Sequence, residues 1–124
     1  MVQHFDDEPT TNTKRALQIW QILICKAHNH QTITYGDLAE LLGYRGAGIV
    51  GHKLEPILDY CNVHGLPQLT CLVVNSGTGL PSPKSDLVQT TSHAEREKVY
   101  QYNWYNLVPP TPQEFDEAHR QVRG

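Results

Sequence analysis

Apolar residues recur at three- and four-residue spacing near the start of the chain: Ala16, Leu17, Trp20, Leu23, Ile24 and Ala27. That period lays an apolar stripe along one side of a helix. It predicts a helix that begins near Thr13 and fades at His28-Asn29-His30, where polar residues replace the stripe. A second, short helix is expected after Thr34, whose hydroxyl can accept from the free amide of Asp37. Leu38, Leu41 and Leu42 are its expected buried face. Gly43 stands where a helix end favours a left-handed residue. A third segment carries Ile49, Val50, Leu54, Ile57, Leu58 and Cys61, with Pro56 inside it. Proline removes an amide and clashes with the preceding turn, so a kink or two helical pieces are expected.

The period then changes. Leu69-Thr70-Cys71-Leu72-Val73-Val74-Asn75 is a run of strand formers and predicts a short buried strand. Residues 75–79 have turn chemistry, and 79–91 read as a proline-containing loop. Ser92 with Glu95, and Thr111-Pro112 with Glu114, have the spacing of capping boxes, so helices are expected after each. An aromatic cluster, Tyr100, Tyr102, Trp104 and Tyr105, separates them. The expected organisation is a loose arm at 1–10, a folded domain at 11–105 and a helical extension at 106–124. The fold class is α/β.

Composition narrows the function. The 124 residues carry ten Lys and Arg against thirteen Asp and Glu, a formal charge of −3. That excludes a global polycation and leaves room for a local basic face. No stretch approaches the ~20 apolar residues of a membrane span. No charged leader precedes an apolar stretch, so no secretory signal is expected. Three cysteines, Cys25, Cys61 and Cys71, are odd in number and irregularly spaced, which fits a reducing cytoplasm better than a disulfide framework. Seven histidines show no ligand spacing, and the expectation is surface histidine with no metal. Neither glycine-containing run reads as a phosphate loop, and no cofactor is expected.

The pattern from residue 34 to about 61 is a short helix, a glycine-containing link and a longer helix, as in DNA-binding helix-turn-helix units. Its charges weigh against DNA, because Arg45 and Lys53 are balanced by Glu55 and Asp59. Its small residues Gly46, Ala47 and Gly48 weigh for it, since they would let a helix N-terminus approach a phosphate.

Longer motifs join this pattern. Ile19-Trp20-Gln21-Ile22-Leu23, Thr32 to Ala39 (TITYGDLA), Leu42-Gly43, Ala47, Val50-Gly51, Leu66-Pro67 and Val73-Val74-Asn75 with Gly77 occur in order. So placed, the chain resembles the C-terminal domain of O6-alkylguanine-DNA alkyltransferases and their alkyltransferase-like relatives. Glu95-Arg96 and Trp104 continue the resemblance loosely. The resemblance implies a small winged-helix-like domain that binds the minor groove of double-stranded DNA and flips an alkylated guanine. Tyr35 matches the family's phosphate-rotating tyrosine. The arginine that fills the vacated stack falls at Gly48, with Arg45 three residues earlier. The family's Pro-Cys-His-Arg signature falls on Leu69, Thr70, Cys71 and Leu72. Thr70 thus stands in the nucleophile's place without a base beside it, and alkyl transfer needs a thiolate. On a strand, Cys71 would point to the opposite face from the lost nucleophile.

The expected function is a non-catalytic, alkyltransferase-like DNA-binding domain that senses damaged or modified DNA. The expected contacts are Thr34, Tyr35, Arg45, Gly46, Ala47, Gly48 and His52, with no catalytic residue. The alternative is a protein-interaction module that keeps the fold, favoured by the acidic balance and the aromatic-rich tail. A thiol enzyme using Cys71 is a third reading.

Overall fold

The computed structural model describes residues 12–75 and 93–123, together with Val2 and His4. Apart from Val2 and His4, the expected arm lies outside the described residues, as do residues 76–92 of the turn and loop, with Ser92 of the first capping box. Helices dominate: α1 (Asn12–His28), α2 (Tyr35–Leu42), α3 (Val50–Lys53), α4 (Glu55–His64), α5 (His93–Gln101) and α6 (Pro112–Arg123). Two strands, β1 (Ile33–Thr34) and β2 (Val73–Val74), pair in parallel with Ile33 opposite Val73. No helix among the described residues is long and apolar enough to cross a membrane.

α1 buries Ala16, Ile19, Trp20, Leu23, Ile24 and Ala27, as its stripe requires. It ends where His30 takes a left-handed φ of 54° and the amides of His30 and Gln31 donate to Ala27 and Lys26. This double closure is a Schellman-type end. α2 is capped as its sequence predicts: Thr34 Oγ1 accepts from Asp37 N at 3.0 Å, and Gly43 closes it at φ 79°. Its buried face differs from expectation. Tyr35, Leu38, Ala39 and Leu42 face the core, and Leu41 is 62% exposed. The buried set follows the i, i+3, i+4, i+7 rule, which Leu41 does not meet.

The third segment is divided. A 3₁₀ turn at Ala47–Ile49 leads into α3, and α4 follows after Leu54 with Pro56 in its first turn. There the missing proline amide costs least, because the first amides of a helix lack partners anyway. Ile49, expected on the apolar face, is 44% exposed.

The expected strand at 69–75 is corrected. Leu69–Leu72 form a 3₁₀ turn, and only Val73–Val74 are extended. Periodicity cannot separate the two, because every residue from 69 to 74 is buried. A side-chain network decides. Thr70 Oγ1 donates to Gln68 Oε1 at 3.1 Å, and Gln68 Nε2 donates to Asn62 Oδ1 and Leu58 O. The Gln68 amide donates to Glu95 Oε1 at 2.9 Å. Gln68 is thus satisfied at 2% exposure, and satisfied buried networks specify one arrangement.

The residues read as an extension carry α6, which packs chiefly on α4 and also on α1. Its capping box forms as predicted, with Glu114 N donating to Thr111 Oγ1 and Thr111 N to Glu114 Oε1. Phe115 is fully buried and joins Tyr60 and Trp104 around Trp20, with ring centroids 5.6–5.8 Å from the indole. Trp104 Nε1 donates to Val99 O at 2.7 Å, which satisfies the buried indole. Beside this cluster Asp59 is 1% exposed, and its Oδ2 lies 2.9 Å from both His119 Nδ1 and Arg123 Nε. Its Oδ1 is buried without a hydrogen-bond partner among the described residues.

Candidate functional site

The expected contacts fall into two groups. Thr34 and Tyr35 belong to the framework. The Thr34 hydroxyl is engaged as the α2 cap, and Tyr35 is 7% exposed in the core. Arg45, Gly46, Gly48 and His52 belong to the surface between α2 and α4, and all four are exposed. Ala47 starts the 3₁₀ turn between them. The 45–52 set thus lies on one short stretch of chain, and Tyr35 is held in the core.

Local packing holds that stretch from beneath. The Arg15 guanidinium lies 5.1 Å from the centre of the Tyr44 ring and donates to Leu42 O at 3.2 Å. A cation over an aromatic face and a bond to a helix-end carbonyl fix the exit of α2. Val50 and Leu54 are buried and anchor α3. Between these anchors the backbone is bare. A Cβ built on Gly46, Gly48 or Gly51 would meet nothing within 4 Å, and none of the three has a positive φ. Neither internal packing nor backbone conformation requires glycine there. The expected set leaves out Gly51, which stands inside the helical pattern, where glycine costs stability relative to alanine.

Charge on this face is mixed. Arg45 and His52 supply the exposed basic groups, and His52 Nδ1 lies 3.6 Å from Glu55 Oε1. Asp37 and Glu40 of α2 are exposed beside Leu41. The surface is neither a basic cleft nor a uniformly acidic one.

The positions matched to the alkyltransferase signature lie inside the protein. Thr70 is fully buried and donates its hydroxyl to Gln68, and Cys71 is 1% exposed. Burial pushes the Cys71 thiol up to about 12, outweighing the opposite pull of Arg96. The strand-alternation argument for Cys71 is corrected here, because residue 71 sits in a 3₁₀ turn. Burial and the suppressed thiolate, rather than facing, set its reactivity. Burial likewise pushes the Cys61 thiol up to about 12, whereas Cys25 is exposed. Among the described residues no cluster of three or more His, Cys, Asp or Glu side chains could hold a metal.

The chain matches no family model, no curated protein and no solved structure.

Proposed function

We propose that the protein is a non-catalytic, alkyltransferase-like DNA-binding domain of winged-helix-like type, which works in the cytoplasm and engages double-stranded DNA through the 45–52 surface. One observation carries this reading: three glycines at 46, 48 and 51 leave backbone exposed where nothing inside the protein needs the space. Glycine in a helix costs about 0.5–1 kcal/mol relative to alanine, so Gly51 in α3 is a cost that close approach of an outside group explains. With few cations available, backbone amides and Arg45 carry the phosphate contacts, and affinity is weak and salt-sensitive. Buried Thr70 and Cys71 support the absence of alkyl transfer.

Fluorescence anisotropy on labelled duplexes, with and without an O6-methylguanine, tests the proposal at low salt. Binding at micromolar protein that weakens steeply with salt is the expected result. No binding to either duplex rejects it. Intact-mass measurement after incubation with methylated DNA tests the chemistry, and gain of a methyl group would overturn the non-catalytic part.

A second reading, a protein-interaction module, is favoured by the mixed charge of this face and by exposed Leu41 and Ile49. It gains if the duplexes fail to bind while the domain remains folded.

A further inference from the structure

The link between the 3₁₀ turn at Trp104–Asn106 and α6 reads Leu107-Val108-Pro109-Pro110-Thr111, with Pro112 opening the helix. Each residue from 108 to 112 is a proline or stands before one. Proline fixes φ at about −65°, and the residue before a proline is pushed out of the helical region into extended backbone. Together the two constraints dictate a polyproline II strip, with about three residues per turn. Burial follows that period. Leu107, extended at φ −82° and ψ 128°, packs partly against the core, and Pro110, one turn on, is buried. Val108, Pro109 and Thr111 are exposed, Val108 at 82%. Among the described residues, the main-chain groups of 108–110 make no hydrogen bond, which is the state of a polyproline II backbone. Both ends of the strip are fastened, one by the Trp104 indole bond to Val99 O and the other by the capping box of Thr111 and Glu114. The strip is therefore ordered before any partner arrives, and binding it costs little further entropy.

We propose that residues 108–112 are the ligand of an aromatic-lined groove on a partner protein, of the kind that receives proline-rich segments. Val108-Pro109 and Thr111-Pro112 are two X-Pro pairs one turn apart, and they give the P-x-x-P spacing that such grooves take. Pro110, between the pairs, is buried in its own protein and holds the strip with the pairs outward. The unbonded carbonyls of 108–110 are acceptors for ring N–H groups such as the indole of a groove tryptophan. A rigid spacer would need the prolines, but it would not need valine at the crest. Glu114 and Glu117, exposed just beyond the second pair, repel an acidic rim and select a groove whose rim is neutral or basic. The proposal does not rest on the duplex reading, because no residue of the 45–52 surface belongs to the strip.

The test is amide chemical-shift mapping of the ¹⁵N-labelled full chain. The probes are an array of isolated WW and other polyproline-binding domains that spans acidic, neutral and basic groove rims. Expected are shifts confined to residues 105–113 with a neutral- or basic-rimmed domain, and their loss when that domain's groove tryptophan is replaced by alanine. Val108→Glu keeps every proline of the strip and alters one exposed side chain, so the fold and the spacer are retained, as circular dichroism would verify. It should weaken binding about tenfold, because burying a valine side chain is worth about one factor of ten in affinity. No shift with any domain of the array, shifts spread beyond the strip, binding confined to acidic-rimmed domains, binding that survives loss of the groove tryptophan, or unchanged affinity in Val108→Glu would each overturn the proposal.

Discussion

Asp59 lies inside α4 and Arg45 in the turn after α2, and the protein treats these two charged residues in opposite ways. Asp59 is enclosed between α4 and α6 and holds His119 and Arg123 on one oxygen. Arg45 stands exposed in the turn after α2, among glycines where an added Cβ would meet nothing within 4 Å. The seam between α4 and α6 is built of large rings and a buried ion cluster, so each side chain there is constrained by several others. The turn has anchors beneath it and bare backbone above. The seam is densely packed, whereas residues 45, 46, 48 and 49 of the turn are exposed.

Breaking the seam should have the largest effect. His119→Leu combined with Arg123→Met leaves Asp59 buried and uncompensated, and should cost about 3–5 kcal/mol in urea unfolding. Adding Asp59→Leu should recover much of that loss, which a merely local packing defect would not allow. Next, Tyr35→Ala should cost about 3 kcal/mol, because the ring is core and its removal leaves a cavity. Tyr35→Phe, which keeps the ring, is therefore the variant to compare in duplex binding.

A pH series probes the interior differently. Cys61 and Cys71 keep their protons in the folded protein up to about 12, against 9.0 for an unperturbed thiol. Between pH 9 and 12 the unfolded chain loses protons that the folded chain retains. Stability present below pH 9 should thus fall as pH rises through this window. Cys61→Val should flatten the slope, as equilibrium unfolding at alkaline pH would read. Neutral iodoacetamide should label Cys25 alone among the three until the protein is unfolded.

The turn should answer in the opposite sense. Gly51→Ala should raise stability by about 0.5 kcal/mol while weakening duplex binding, since the added methyl occupies open space. If both quantities rise, the glycine has no external partner. Arg45→Ala should leave stability within about 0.5 kcal/mol, the usual range for surface substitutions. It should lower the salt slope of duplex binding by about one.

The local parts of the turn were legible in the chain, and most of the seam was not. Thr34 with Asp37, Gly43, and Thr111 with Glu114 announce helix ends because a cap is a bond between residues three apart. The break near Pro56 is likewise local. Asp59 and His119 lie sixty residues apart, and no spacing rule joins them. The run at 69–72 was ambiguous for a different reason: Gln68 and Thr70 bond to each other and to distant groups, and that network chooses a turn over a strand. Leu41 misleads because 38, 41 and 42 have the spacing of one stripe by themselves, whereas the stripe that docks runs from Tyr35 through Leu38 and Ala39 to Leu42 and leaves 41 on its flank. At the site, exposure of Arg45 follows from its place in the link after α2 and that of His52 from the polar side of α3, whereas burial of Tyr35 depends on how α2 docks.

The position of α6 along the chain also sets an order in time. Synthesis runs from the N-terminal side, so Trp20 and Tyr60 exist before Phe115 is made to cover them. During that interval Asp59 has neither His119 nor Arg123, and a carboxylate without a partner resists enclosure. A chain without the α6 residues would therefore keep the α4 carboxylate hydrated and the seam ajar. The residue that joins α4 to α6 would by the same charge hold them apart until both are present.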